Sequence, residues 1–355
     1  MGPLACIRQI MFIELRVEGR RRVTLAGFPV RLVQRRLGTR GRLPAGRCRE
    51  LSAKAERQFR SDPWETCRMV PPETRRLYAE EIRATAKIGS ETLLNAFSTV
   101  PREDFVGPGP WKVLSRSAPG QMQPHVTDVS DPCELYRDVA VFLDSSKSLT
   151  NGNPSTLAPW LDALDLAEGK SVFHLGCGTG YYTAIIAEVV GPRGQVTAAE
   201  IDPALASQAR ASLARYPNVR VFEGDGGGVD TGARDAILIN AGVTHPPERW
   251  LDSVTIGGEL VLPITIDVGM PHIGKGFVLR VSRLASGYAA RFLPAPVMIY
   301  SCTSGRDPQI GSAFGQRFKS GTSDSVRSLR REPHSPEPSC WLHSTSFCLS
   351  TQPVG

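Results

Sequence analysis

The sequence predicts an α/β fold, a doubly wound and mostly parallel sheet. Three observations point to it. Between Ser171 and Pro263, short apolar runs alternate with amphipathic stretches in a βαβαβ order. The first run, "SVFHLG", opens into glycines at 176, 178 and 180 and then into the helix-like "YYTAIIAEVVG". No run of 18 or more apolar residues occurs, and 41% apolar residues over 355 positions supply a sizeable core.

Residues 1–68 stand apart from this pattern. They carry 16 Lys+Arg against 6 Asp+Glu, while residues 69–355 carry 26 against 29. The net charge of +7 therefore belongs to the leader. The near-neutral body offers no basic footprint for a phosphate backbone, so no nucleic-acid partner is expected, nor any membrane span. The leader lacks a helical or alternating apolar period. It reads as an Arg-rich transit peptide or as a stretch not normally translated, with the start at Met69, and in either case as disordered. Eight scattered cysteines read as reduced thiols of a cytoplasmic protein.

Residues 69–150 are expected to form a helical lid and loop region. Leu77, Ile82, Ile88, Leu93, Leu94 and Phe97 give an apolar helix face, which Pro101, Pro108 and Pro110 end. A polar loop, "SRSAPGQMQPHVTDVSDP", follows. Residues 151–270 hold the core. Pro154 suits a helix first turn, with Leu157, Trp160, Leu161 and Leu164 on its buried side. Strand candidates "SVFHLG", "GQVTAAEI", "NVRVFEG", "DAILINAG" and "GELVLPI" then alternate with helical stretches. Residues 271–355 add strand-like "GFVLRVSRL" and "PVMIYSC", a short helix around "DPQIGSAFGQRF" and two further strands.

The glycine turn has the spacing of a small-molecule site. A dinucleotide fingerprint would place its third glycine at position 181, which is Tyr. The spacing G-x-G-x-G suits S-adenosylmethionine, whose carboxylate can meet N–H groups at a helix start. A purely structural glycine turn is the plainer account of these three residues alone. Glu200 ends the second core strand, where an acceptor can bind both ribose hydroxyls, and Asp225 follows the third, within reach of an adenine amino group. Taken singly, each would pass for a surface carboxylate. Together they occupy successive strand ends on one sheet edge, where open α/β folds bind ligands. The cofactor set is Gly176, Cys177, Gly178, Thr179 and Gly180 for the methionine, Glu200 for the ribose and Asp225 for the adenine, with Ile201, Gly226 and Asn240 beside them. Glu200→Ala is expected to weaken cofactor binding without unfolding the chain.

"FSTVPREDFV", "GNPSTLAPWLDALDLAEGKSVFHLGCGTGYYTAIIAEVVG", "VFEGDG", "DAILINAG" and "IGGELVLPI" resemble the protein-L-isoaspartate (D-aspartate) O-methyltransferases, over about Phe97 to Pro263. The resemblance implies a seven-stranded, Rossmann-like class I methyltransferase with S-adenosyl-L-methionine as cofactor. It also implies a protein or peptide substrate bearing isoaspartyl residues, with another carboxylate acceptor as the alternative. The family's loop reads Thr-Ile-Ser-x-Pro, and its Ser is assigned to catalysis. Here Thr150-Asn151-Gly152-Asn153-Pro154 stands in that register, so Thr150, Asn151 and Gly152 are the catalytic-loop candidates and the serine position is Gly152. Two further departures are His174, in place of an acidic residue, and Tyr182, in place of a common Gln. A missing hydroxyl would cost about 1–3 kcal/mol of substrate contact, so Gly152→Ser is expected to raise the rate on isoaspartyl peptides. A non-catalytic S-adenosylmethionine-binding module is the rival reading, and methyl transfer separates the two.

Other constellations are weaker. His334, Cys340, His343 and Cys348 lack the close C-x2-C pairing of strong zinc motifs, and no metal is assigned. His174 reads as a hydrogen-bonded structural histidine, and His245 as a loop or helix-start residue. No G-x-S-x-G elbow follows a strand, which disfavours a serine hydrolase.

Overall fold

The computed structural model describes residues 70–355 apart from 119, 120 and 129, together with two short strands in the leader. The chain divides into two compact units, Met1–Cys67 and Arg68–Gly355. In the first, β1 (Phe12–Leu15) pairs antiparallel with β2 (Val23–Ala26). The reading of the leader otherwise falls outside the described residues.

The second unit opens with α1 (Pro72–Ala86) and α2 (Glu91–Thr99), the latter capped by the Ser90 side chain, which accepts from Leu93 N–H at 3.2 Å. Next come β3 (Lys112–Ala118), β4 (Gln121–Val126), β5 (Ala140–Asp144) and β6 (Leu149–Thr150), a four-stranded antiparallel sheet in the order β4-β3-β5-β6. The expected polar loop is thus largely a β-hairpin. β4 is exposed along its whole length, so no apolar alternation marked it as a strand.

The main sheet is built from α3 (Pro154–Asp162), β7 (Ser171–Leu175), α4 (Tyr181–Val190), β8 (Gln195–Glu200), α5 (Pro203–Ser212), β9 (Val219–Glu223), β10 (Arg234–Ile239), α6 (Glu248–Ser253) and β11 (Val254–Asp267). It continues through β12 (Ile273–Leu284), β13 (Gly287–Tyr300), α7 (Pro308–Ser320), β14 (Ser328–Arg330), β15 (Cys340–His343) and β16 (Cys348–Ser350). Ten strands lie in the order β15-β16-β14-β13-β12-β11-β10-β7-β8-β9. The five from β9 to β11 are mutually parallel, and every later pairing is antiparallel. The expected seven-stranded, mostly parallel sheet is therefore enlarged and mixed. The physical reason lies in the connections. Parallel neighbours need a crossover of a dozen or more residues, while strands joined by short turns, as β11–β12, β12–β13 and β15–β16 are, must run antiparallel.

Alternation along the central strands divides the core between the two faces. Val172, Ala236 and Leu238 point to one cluster with Phe97, Trp160 and Ile185. Phe173, Ile237 and Ile239 point to the other, with Trp250, Phe292, Phe314 and Trp341. α1 and α2 belong to the first cluster through Tyr78, Ile82, Leu93 and Phe97. The sequence order of the strands reverses between β7 and β10, so the carboxyl ends of these parallel strands flank a topological switch point.

Candidate active site

At the end of β7, Gly176, Gly178 and Gly180 have φ of 77°, 57° and 96°. Side chains are strained in this region, and two of the positions are also crowded. A Cβ at Gly176 would lie 3.0 Å from the Asn240 carbonyl oxygen, and one at Gly180 2.7 Å from Leu213 Cδ1. The turn is pinned to β8, because Gly176 and Cys177 N–H both donate to the Ala199 carbonyl, at 2.8 and 3.2 Å. Gly180 then caps α4. Within the turn, the Thr179 hydroxyl is buried and has no protein partner, so a ligand carboxylate or amine would satisfy it. Cys177 is buried, and burial together with the Glu200 charge pushes its thiol well above its usual range.

Glu200 ends β8 at only 7% exposure, not on the open surface. One carboxylate oxygen accepts Gly178 N–H at 2.7 Å, and the other accepts Asp202 N–H at 3.0 Å. The carboxylate therefore shapes both the glycine turn and the start of α5, and each oxygen still has acceptor capacity for a ribose hydroxyl. Beside it Ile201 is 51% exposed, and Phe222 near the end of β9 is 43% exposed. Asp225 is exposed and accepts Gly227 N–H at 2.8 Å. Gly226 lies so close to β8 that a Cβ would be 2.5 Å from Ala199 Cβ. Asn240 ties the end of β10 to the turn, donating from Nδ2 to the Gly176 carbonyl at 3.2 Å. All ten predicted cofactor residues thus gather at one edge.

The cover over this edge comes from the β5–β6 connection. Leu143 Cδ1 is 3.8 Å from where a Gly178 Cβ would sit. Lys147 reaches Asp202 at 3.2 Å and Asp144 at 3.5 Å, and its carbonyl accepts the Tyr300 hydroxyl. β6 leads directly into the catalytic-loop candidates. Thr150 Oγ1 accepts Gly152 N–H at 3.3 Å. Asn151 Oδ1 accepts Val141 N–H at 2.9 Å, and Asn151 N–H returns a bond to the Val141 carbonyl, also at 2.9 Å. Its Nδ2 is buried without a partner. Asn153 and Ser155 are occupied in capping α3, with Asp138 Oδ1 accepting Ser155 N–H at 2.8 Å. Gly152 has φ 81°, and its carbonyl accepts the Tyr182 hydroxyl at 3.0 Å. Two of the departures from the family pattern thus meet in a single contact.

Sequence reasoning passed over several groups here. The orphaned Asn151 amide needed the β5 register to expose it. Arg102, in the VPRE segment, is fully buried and donates to the Leu135 and Arg137 carbonyls at 2.5 and 3.0 Å and to that of Val139. Its neighbour Glu103 takes Arg75 at 2.9 Å and the Tyr136 hydroxyl at 2.5 Å. VPRE is therefore a clamp on the segment that leads into β5. His174 lies in the core with Nδ1 2.9 Å from Thr183 Oγ1, and burial holds its pKa at about 3. His245 is half-buried, stacks on Phe347 with ring centroids 6.0 Å apart, and is lowered by burial. The structure also brings the donor atoms of His334, Cys340, His343 and Cys348 within 4.8 Å of one another.

Residues 74–271 match the family model described as Protein-L-isoaspartate(D-aspartate) O-methyltransferase (PCMT). Protein-L-isoaspartate O-methyltransferase 1 of Archaeoglobus fulgidus is 33% identical over 200 residues, covering 54% of this chain and 80% of that one. The protein-L-isoaspartate O-methyltransferase of Methanothrix thermoacetophila is 33% identical over 199 residues, covering 55% and 84%. A solved Plasmodium falciparum beta-aspartate methyltransferase (PCMT), in complex with S-adenosyl-L-homocysteine, is 17% identical with a TM-score of 0.49, covering 64% of this chain and 98% of that one. The family match ends at 271, so β12 onward lies outside it. This chain belongs to the protein-L-isoaspartate (D-aspartate) O-methyltransferase family of S-adenosylmethionine-dependent methyltransferases.

Proposed function

We propose that this methyltransferase esterifies the free carboxylate of isoaspartyl residues in protein or peptide substrates. The observation that carries the reading is the juxtaposition of the glycine turn, Glu200 and Asp225 at successive strand ends with the Thr150–Gly152 loop that follows the covering turn. Gly176 to Gly180 and the orphaned Thr179 hydroxyl would hold the methionine end, Glu200 the ribose, and Ile201, Asp225 and Gly226 the adenine. Bound there, S-adenosylmethionine supplies a methyl group on a sulfonium, an activated electrophile.

The chain's own task is then alignment. A carboxylate is already ionised at neutral pH and needs no general base. His174 does not supply one, because it is sealed in the core on Thr183 and burial makes it a weak base, as burial also does for the half-buried His245. What remains is to bring donor and acceptor together in a site from which water is excluded. The buried Asn151 Nδ2 is the polar group free to orient an acceptor carboxylate, the role that the Gly152 position cannot fill with a side chain.

Among the described residues no helix is long and apolar enough to cross a membrane. The unpaired thiols of Cys133, Cys177, Cys302, Cys340 and Cys348 fit the reducing setting of a cytoplasmic enzyme. Transfer of labelled methyl from S-adenosylmethionine to an isoaspartyl peptide, beside its aspartyl counterpart, tests the proposal. Transfer to the first alone is expected. If the chain binds cofactor and methylates neither peptide, the acceptor is another carboxylate or a different group.

A further inference from the structure

Beyond the methyltransferase site, we propose that His334, Cys340, His343 and Cys348 form a structural zinc site that staples the C-terminal hairpin to the sheet. It lies outside residues 74–271, the part that matches the family, and shares no residue with the cofactor edge.

Strand geometry explains how these four side chains meet. Cys340 and His343 are three residues apart on β15, which in a regular strand would send them to opposite faces. The β15–β16 pairing slips between Cys340 and Leu342. Cys340 lies opposite Ser350 and Leu342 opposite Leu349, so two steps on β15 match one on β16. That inserted residue is a bulge, and it returns His343 to the face of Cys340. Cys348 lies directly across from His343 in the same pairing. His334 arrives from the preceding loop, with its Nε2 3.5 Å from Cys340 Sγ.

The chemistry of the set suits zinc. Two thiolates and two imidazoles are a tetrahedral zinc complement, and the thiolate charges cancel the metal's, so the partly buried site carries no net charge. Zinc–sulfur and zinc–nitrogen bonds set a sulfur-to-nitrogen edge of about 3.5 Å in a tetrahedron, the distance found between Cys340 and His334. The His334 and His343 rings stand nearly perpendicular, at 77° with centroids 4.8 Å apart.

Supporting groups are also in place. His334 Nδ1 is 2.8 Å from the Glu332 carbonyl, a contact that fixes the ring and leaves Nε2 free for a metal. Cys340 Sγ accepts Glu337 N–H at 3.4 Å, a bond that favours the thiolate. His343 Nδ1 is buried with no protein partner, an unmet polar atom that a metal at this point, or a hydrogen bond to it, would satisfy. Four protein ligands leave no open position, so the site is structural rather than catalytic. What it secures is the hairpin whose Trp341 packs on Phe292 and Phe314, and whose Phe347 stacks on His245.

Elemental analysis of the full chain, purified without chelator, should find one zinc per molecule. Cobalt(II) exchanged into the stripped protein should give tetrahedral d–d bands with thiolate charge transfer. The Cys340→Ser/Cys348→Ser double variant should lose both signals. Because that variant could also lose its fold, the wild type is tested by chelation: Tm should fall when zinc is removed and return when zinc alone is added back. The proposal is overturned if stripped wild type takes up neither zinc nor cobalt, if the folded double variant keeps its zinc, or if Cys340 and Cys348 prove to be joined as a disulfide.

Discussion

Gly152 illustrates how a side chain's absence can be demanded by its surroundings. Read against the family loop, it is a lost hydroxyl that a serine would restore. In the structure its φ is 81°, and a Cβ would meet Leu157 Cδ2 at 2.9 Å. The leucine methyl can yield, but the backbone angle cannot, and a left-handed non-glycine residue costs about 1–2 kcal/mol. Gly152→Ser is therefore expected to lower stability by roughly that amount and to leave the isoaspartyl rate unimproved, reversing the expectation from the sequence. Urea denaturation and peptide kinetics on the same preparation check it, and a stable variant with a raised rate would restore the lost-hydroxyl reading. Glu200 is altered in the same way by its environment. Its two oxygens already hold two backbone N–H groups, so Glu200→Ala should cost about 2–3 kcal/mol of stability besides weakening cofactor binding. Calorimetric affinity measured beside Tm separates the two effects; an unchanged Tm would mean that the turn does not depend on the carboxylate.

At the level of elements, the parallel half of the sheet was legible because its central strands, β7 and β10, are buried for most of their length and read as apolar runs. The gathering of the glycine turn and the strand-end carboxylates at one sheet edge was legible for a related reason, since glycine spacing and carboxylates at strand ends are local features of sequence. The β3–β6 sheet was not. β4 is exposed throughout, and what holds the approach to β5 is Arg102, more than thirty residues from the carbonyls of Leu135, Arg137 and Val139 that it satisfies. Long-range pairing of a buried cation with backbone leaves no periodic trace. Arg102→Ala would take the guanidinium from the Leu135 and Val139 carbonyls, leave the Arg137 carbonyl with only Val139 N–H, and open a cavity between Tyr78 and Tyr181, whose rings the guanidinium approaches to 5.8 and 5.7 Å. Loss of about 2–5 kcal/mol is expected from the cavity and the unmet carbonyls. Lysine should not rescue it, because a single ammonium cannot reproduce the planar fork. Hydrogen exchange should show the 135–151 segment opening first, and uniform loosening would assign Arg102 a general core role instead.

For the whole molecule, the sequence resolved a charge boundary before any contact was known, with the basic leader ahead of a near-neutral body. The compact units divide between Cys67 and Arg68, and the family match begins at residue 74. A chain starting at Met69 is therefore expected to keep the Tm and cofactor affinity of the full chain, and loss of either on truncation would give the leader a structural role. Global stability should also follow pH through one core residue. His174 is completely buried, and its pKa of about 3 lies below the ordinary 6.5. Between those values the unfolded chain binds a proton that the folded chain refuses. Stability is then undiminished above about pH 6.5 and falls as pH drops toward 3, at about 1.4 kcal/mol per unit where the difference is full. His174→Gln cannot take up that proton, and its amide can still bond Thr183. Its own cost in packing is the same at every pH, so the gap between wild type and variant should narrow as the solution is acidified from pH 7 to pH 4. Denaturant midpoints at several pH values measure the gap, and a constant difference would show that the histidine is already protonated or hydrated in the folded protein.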